Sequence, residues 1–437
     1  MYTYRRDISM KKILSLILAL SMLAGVSAAL ADPTEIDGVT ERNIKINRAG
    51  LNKSADEMIS EGISPTTGRA LDEIDTPDGF LGVAVTGEYQ PIMVQISNSG
   101  NGIGVSKNGK LYIVAPVNGS YSDVVYECVQ KRGGGESRMT MIFSDTIPDY
   151  VGFVRSTRLT HCRLRQEWGC AFCTSGYSSA DVPGEWRRLG VKNPQGATPS
   201  DPGVVYVGDY PKCWEDYVWR LSGIESANSE IFMLADIVKN IVPKDNVPAN
   251  HTWLFTDDVP DGGDSANIIY VTHGNKYETD NRMEYDAQLN AYIRYNYVKN
   301  REDLPYKDTV LVNPVIKKVK NSQGESVKKI VAESRDENEI ITFNNVIVQS
   351  IKMNWIESTR PDPELVGTGN ADYFMGGKHF KGVWERTDDN SRTVFYGEDG
   401  NEIQLQKGRT LIILMPYLQS SHGGKMNKNT DCSVKYE

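Results

Sequence analysis

The chain has 437 residues and carries 48 Lys+Arg against 57 Asp+Glu, a formal net charge of −9. That acid excess gives little long-range pull toward nucleic acid or anionic lipid, while leaving room for a local basic patch. At 39% hydrophobic residues the chain can build ordinary cores, which excludes a disordered chain.

The first segment reads as a secretory signal over residues 10–31. Lys11 and Lys12 supply the positive start, residues 13–23 form an almost unbroken apolar run, and Ala29-Leu30-Ala31 offers a peptidase site before Asp32. The apolar run is shorter than the roughly 20 residues a spanning helix needs, so no membrane span is expected after signal removal. Met10, directly before the lysines, makes a better start than Met1. No cysteine lies near Ala31 to take a lipid, so the expected location is secreted or extracellular at the cell envelope. The first 31 residues hold four basic side chains and one acidic, leaving the remainder with 44 basic against 56 acidic, a formal −12. About 400 remaining residues suggest two domains, with three as the alternative.

Residues 32–62 form a polar lead-in. Strands are expected over 91–96 and 111–114, the latter after the hairpin signal Asn108-Gly109. Ser122 is placed to cap a short helix through Val129, and a glycine run at 133–135 would end it. Strands follow at 139–143 and 151–154, then a helix at 160–168 and a strand at 170–174. The clearest helical period lies at 230–241, where Ile231, Leu234, Ala235, Val238 and Ile241 recur at three- and four-residue spacing and Pro243 closes the run. Beyond His251 the texture is short strands, at 268–271, 291–297, 309–312, 345–349, 393–396, 402–406 and 411–415, with Glu398-Asp-Gly400 as a turn. Residues 419–437 read as a polar tail in which Cys432 alone suggests tethering. The fold class expected is α+β: a layered α/β domain over 63–245, then a mostly antiparallel β domain over 246–418.

Six cysteines, Cys128, Cys162, Cys170, Cys173, Cys213 and Cys432, lie beyond the signal. Cys170-Ala-Phe-Cys173 has redox or zinc spacing, but it falls in a strand-like run where residues three apart face opposite sides. With five histidines and none at short paired spacing, zinc lacks a second ligand pair. Structural thiols or disulfides are the expectation, and no cofactor or metal is expected.

The run Tyr121-Ser-Asp-Val-Val-Tyr-Glu127, then Arg138, then Val151-Gly-Phe-Val-Arg-Ser-Thr-Arg158 resembles the signature of the YerB-like lipoprotein family, whose N-terminal domain has no known function. Ser64-Pro-Thr-Thr-Gly68 resembles that domain's opening motif. Tyr285-Asp286, Tyr292-Ile-Arg294, Asn345-Val-Ile-Val-Gln349, Gly367-Thr-Gly369, Gly382-Val-Trp384 and Gly408-Arg-Thr410 follow in the order of the family's C-terminal domain. The resemblance spans roughly 63–418 and implies a two-domain envelope protein without an established reaction. It departs at Thr174, and at Ser229 and Glu230, where relatives carry histidine and a His-Asn pair. The chain therefore lacks their readiest proton-transfer groups.

Asp123 and Glu127, on one face if helical, together with Arg138, Arg155, Ser156 and Arg158, form a candidate polar pocket in which arginine forks would grip a carboxylate, phosphate or sugar. The alternative is a buried structural network of the same groups. Glycosidic acid–base work by Asp123 and Glu127 would need about 5 to 9.5 Å between carboxyls. A calcium loop at 257–264 departs from EF-hand spacing, and Trp214, Tyr217, Trp219, Trp355 and Trp384 suit sugar stacking or core packing. The function expected is a non-catalytic binding module for a wall component or another exported protein. The alternative is a hydrolase of wall glycan or peptide that uses Glu127 with Asp123 and the arginines.

Overall fold

The computed structural model describes residues 32–437 apart from 50–52, 99–103, 108–109, 114–115, 134–136, 178–179, 192–203, 207–216, 221–229, 243–247, 275–279, 297–303, 306, 321–323, 325, 357–359 and 421–423. The signal at 10–31, the Asn108-Gly109 turn, Cys213, Trp214 and Ser229 thus lie outside the described residues.

Continuous apolar runs make the centre of the molecule. Ile92–Asn98, Val124–Val129 and Ser137–Phe143 are buried at every position, as strands covered on both faces must be. They join one large mixed sheet in the order Asp264–Ser265, Lys378–Arg386, Gly367–Met375, Asn345–Ile356, Thr410–Ser420, Val124–Val129, Ser137–Phe143, Ile92–Asn98, Ala171–Thr174, Val204–Tyr206. The seam between the two halves of the chain is parallel: Thr410 pairs with Val124 and Leu414 with Cys128. Asn345–Ile356 runs parallel to Thr410–Ser420 on the other side.

A second, antiparallel sheet lies over one face. It runs Thr34–Glu35, Ser433–Tyr436, Ile268–Thr272, Asn281–Asp286, Ala291–Asn296, Leu304–Pro305. Val125, Met139 and Met141 of the large sheet share a core with Ile269, Met283, Tyr292 and Val434 of the small one. The helices Leu159–Trp168 and Asp181–Arg188 cover the opposite face, where Cys162, Leu164, Trp168 and Trp186 pack on Tyr126, Phe172 and Ile412. Among the described residues no helix is long and apolar enough to cross a membrane.

Several expectations change. The protein is mostly β, and the helical layering expected of the first half reduces to a few short helices. Residues 124–129 are a strand, not a helix, because Val-Val-Tyr is β-branched and aromatic and because Ser122 spends its hydroxyl on Gly119 O (2.7 Å), closing the 3₁₀ turn Gly119–Tyr121. Within 230–241, Glu230–Phe232 pairs with Val218–Arg220 and Val151–Gly152 as a strand, and the helix begins at Leu234–Asn240. The lead-in and the tail are structural: Ile36 N–H donates to Val434 O (2.9 Å), and both residues are buried. Trp219 and Trp384 are core residues, and the Trp384 indole donates to Ser350 O (2.9 Å).

Candidate functional site

Three sequence-distant motifs meet at one cleft. Asp123 sits just before its strand, and its Oδ2 accepts the backbone N–H groups of Ser144 (2.6 Å) and Asp145 (2.9 Å). Its carbonyl accepts Thr410 N–H (3.0 Å). Both oxygens of the buried Asp145 carboxyl are taken by hydroxyls, Oδ1 by Ser64 and Oδ2 by Thr67. Ser64 Oγ in turn accepts Thr66 and Thr67 N–H, so the Ser-Pro-Thr-Thr-Gly motif is a turn built to present hydroxyls to Asp145. Gly408 N–H donates to Thr67 O (2.8 Å). At φ +125°, with a Cβ falling 2.0 Å from Asn344 Oδ1, only glycine fits there. Arg409 follows and donates to Ser120 O (2.5 Å).

Around this knot opens a polar cleft of about 840 Å³, whose wall includes Thr67, Arg69, Tyr121, Asp145, Lys407 and Arg409. Burial and the neighbouring Asp145 charge push the Asp123 carboxyl well above the usual carboxylate range, against the pull of two backbone N–H groups and Arg409. Burial likewise raises Asp145, against the hydroxyls of Ser64 and Thr67. The cleft therefore has two carboxyls of raised proton affinity at its base, with basic Arg69, Lys407 and Arg409 and acidic Glu73, Asp75 and Asp257 around it.

Glu127 does not share this site. In an extended strand a residue four positions on lies about 13 Å away, beyond the separation a carboxyl pair needs. Glu127 is fully buried, and Arg294 Nη2 lies 3.1 Å from both its oxygens. His273 Nε2 is 3.1 Å away, Ser137 Oγ 2.7 Å and Asn98 Nδ2 3.0 Å. Burial alone would raise this carboxyl, but Arg294 and His273, with hydrogen bonds from His273 and Ser137, hold it at about 2. It is a structural anion, and its catalytic use with Asp123 is excluded by this placement.

The same three-part arrangement recurs twice. Glu167 lies 3.1 Å from His251 Nε2 and 3.0 Å from Arg386 Nη1, with Thr393 N–H donating at 2.8 Å. Asp372 lies 2.8 Å from His379 Nε2 and 2.8 Å from Arg42 Nη2. All three carboxylates are buried, and each triad ties segments far apart in the chain. Sequence reasoning missed these partners. Arg294 alone carried a signal, as the last residue of the Tyr292-Ile-Arg294 motif.

The predicted arginines form a separate group at the start of the helix Leu159–Trp168. Arg138 donates to Ser156 O, and Arg158 N–H donates to His161 Nδ1 (2.9 Å). Burial, then the charges of Arg138 and Arg158, holds His161 well below the usual histidine range, so it stays neutral. Arg155 N–H donates to Gln95 O (2.8 Å), and Arg155 O accepts Thr174 Oγ1 (3.0 Å). Thr174 is thus a buried brace for this turn. The structure therefore divides the candidate pocket: Asp123 lies at the cleft, Glu127 in a buried triad, and Arg138, Arg155, Ser156 and Arg158 at the helix start.

Cys128, Cys162, Cys170, Cys173 and Cys432 are buried free thiols, so among the described residues the disulfide alternative falls. Burial pushes Cys128, Cys170 and Cys432 up to about 12, keeping them protonated and inert. Cys432 tethers the tail through His273 O (3.2 Å). In the acidic loop Asp257 pairs with Lys407 (2.7 Å), and among the described residues no cluster of three or more His, Cys, Asp or Glu side chains could hold a metal ion.

Residues 119–193 match the N-terminal domain, and residues 324–412 the C-terminal domain, of a family described as a protein of unknown function, DUF3048. The crystal structure of the YerB protein from Bacillus subtilis shares the fold. It has a TM-score of 0.53 and 18% identity over 84% of this chain and 99% of that one. No curated protein matches the sequence. The two domain matches and the shared fold support the YerB-like family that the motifs suggest.

Proposed function

We propose that this YerB-like chain is exported and acts at the cell envelope as a non-catalytic binding module, with the cleft beside Asp145 as its docking site for a wall component or another exported protein. The observation that carries the reading is convergence: the turn after Ser64, the residue Asp123 and the segment Gly408-Arg-Thr410 come from both halves of the chain and line one open polar cleft. Its carboxyls are bound up by backbone N–H groups and hydroxyls, while Arg69 stands exposed on the wall and Lys407 is shared with Asp257, which suits the cleft to a ligand bearing carboxylates or hydroxyls. The charged start and apolar run of residues 11–23 support export.

Calorimetric titration of the purified protein with soluble wall fragments tests the reading. Binding that weakens about tenfold in Arg69→Ala and in Lys407→Ala supports the cleft, because each removes a charge-assisted contact of about 1.5 kcal/mol or more. Unfolding free energy should change by about 0.5 kcal/mol or less in Arg69→Ala, since Arg69 is exposed, and by up to about 1 kcal/mol in Lys407→Ala, which gives up the pair with Asp257. Unchanged affinity in both variants would move the site elsewhere.

One observation favours a second reading, a hydrolase of wall glycan or peptide. Asp123 and Asp145, both of raised proton affinity beside the cleft, are shifted in the direction a general acid needs. Mass spectrometry of wall material incubated with the protein decides it. Products released by the native chain and lost in Asp145→Asn would establish the reaction.

A further inference from the structure

The three histidines of the buried triads differ in one respect. Among the described residues His251 and His273 each lie within 4.0 Å of a single carboxylate, Glu167 and Glu127. His379 lies between two: its Nε2 is 2.8 Å from Asp372 Oδ1, and its Nδ1 is 4.0 Å from Asp264 Oδ2. Arg42 Nη2 donates to both Asp372 oxygens (2.8 and 3.0 Å), which leaves Asp372 to accept the ring proton of Nε2. In the neutral ring Nδ1 is then a bare acceptor. It is buried, has no hydrogen-bond partner among the described residues, and faces a carboxylate across a gap too long for a hydrogen bond. Two acceptors thus confront each other with no hydrogen between them, an arrangement that calls for a reason.

The groups around the ring favour a second proton on it. Arg42 and Lys381 are the cations lining a cavity of about 450 Å³ beside His379. Against them stand Glu35, Asp37 and Glu41 of the lead-in and Glu398 of the hairpin turn, besides Asp372. Lys378, next to His379 on the same strand, turns its ammonium to Pro260 O (3.4 Å). Tyr436 lies against the imidazole, 4.3 Å between ring centres, and its hydroxyl donates to Asp264 Oδ2 (3.3 Å). Phe374, opposite His379 on the paired strand, adds an uncharged ring at 5.0 Å.

We infer that His379 is a proton-operated clasp: taking a second proton, at Nδ1, it pairs with Asp264 and fastens the loop 257–264 to the edge of the large sheet. Because Nδ1 is buried, a ligand's donor has no room beside it, whereas a proton on the ring itself needs none. The loop ends in the two-residue edge strand Asp264–Ser265, which pairs with His379 and Lys378. Gly262 and Gly263, at φ +78° and +75°, turn the chain immediately before it, and a Cβ at 263 would fall 2.8 Å from His379 O. At the loop's other end Asp257 pairs with Lys407 on the wall of the Asp145 cleft. Clasp and cleft therefore occupy the two ends of one loop, whichever ligand the cleft takes. The sign follows from the ring. The imidazolium has a proton on Nδ1 and the neutral ring here has none, so the fastening is present on the acid side and lost as pH rises.

Hydrogen exchange of the backbone amides at the loop's end tests this in the purified protein. The reporter is Ala266 N–H, which donates to Gly377 O (2.8 Å) beside the edge strand. Exchange is compared at about pH 5 and about pH 8, between which a histidine changes charge, and is corrected for its intrinsic pH dependence. Protection should be about tenfold greater on the acid side, the worth of one charge-assisted hydrogen bond. Asp264→Ala should hold protection at the lower level at both values. The Asp264 side chain is 69% exposed, so this variant folds. Asp264→Asn should also lose the pH dependence, but at the higher level, because its amide can donate to the neutral Nδ1. Ring-nitrogen NMR resonances of His379 give the direct reading, with both nitrogens protonated on the acid side in the native chain. Equal protection at both values in the native chain overturns the inference. So does an acid gain that survives Asp264→Ala, or a ring that keeps a single proton on the acid side.

Discussion

Asp123 and Glu127 lie four residues apart along one extended stretch and have opposite electrostatic fates. Glu127 is enclosed by Arg294, His273, Ser137 and Asn98 and held at about 2. Asp123 borders an open cleft beside a second carboxyl, and its proton affinity is raised. Burial is common to both, so it cannot be the cause of the difference. What differs is the neighbour packed against the carboxylate, Arg294 and His273 at Glu127 and a second carboxyl, Asp145, at Asp123, and this decides which group staples the fold and which can face a ligand.

The largest effect expected is on the staple. Glu127→Gln leaves Arg294 buried without its counter-charge and should lose about 3–5 kcal/mol in denaturant unfolding. A loss under about 1 kcal/mol would mean that the triad does not hold the halves together. Next comes acid. Glu127 and Glu167 both sit at about 2 against an ordinary 4.5, so their stabilisation is complete above the ordinary value and disappears as pH falls through the lower one. Each should forfeit about 3 kcal/mol across that window, and the Glu127→Gln variant should show a shallower slope there. His251, lowered by burial, charges in the unfolded chain first and adds to the loss below its ordinary value near 6.5.

A middling effect is expected where hydroxyls brace the cleft. Ser64→Ala and Thr67→Ala should each cost about 1–2 kcal/mol in thermal or denaturant unfolding, because Asp145 loses a hydrogen bond in a buried place. The smallest effect has the opposite sign from that of Glu127. Carboxyls with raised proton affinity favour the folded state below their ordinary value near 3.8 and lose that contribution as pH rises through the folded one. Asp123→Asn should therefore flatten the stability profile above that value while leaving the acid limb intact. A variant that steepens the acid limb would contradict the division between the two carboxyls.

Much of the strand content was legible. The runs at 91–96, 139–143, 345–349 and 411–415 are apolar enough to read as strands, and each falls on one, the first as Ile92–Asn98. The helix at 160–168 is also present, as Leu159–Trp168. The hairpin of Gly367–Met375 with Lys378–Arg386 went unread because polar residues break its pattern. Its Gly376-Gly377 turn, with φ of +57° and +73°, carried the usable signal. At 122–129 a serine that resembles a cap outweighed the β-branched residues after it. A cap depends on where the chain goes next, which local pattern does not record.

By itself the sequence determined which segments would be buried and which motifs would follow one another, since both depend on side-chain chemistry along the chain. It could not determine partners. The parallel seam between Val124–Val129 and Thr410–Ser420, the His273–Glu127–Arg294 triad and the meeting of Ser64, Asp145 and Gly408 at the cleft join residues separated by tens to hundreds of positions. Only packing in three dimensions brings a carboxylate to a guanidinium or leaves it beside a cleft. That contact set the opposite proton affinities of Asp123 and Glu127 and the place of each predicted site residue in the protein.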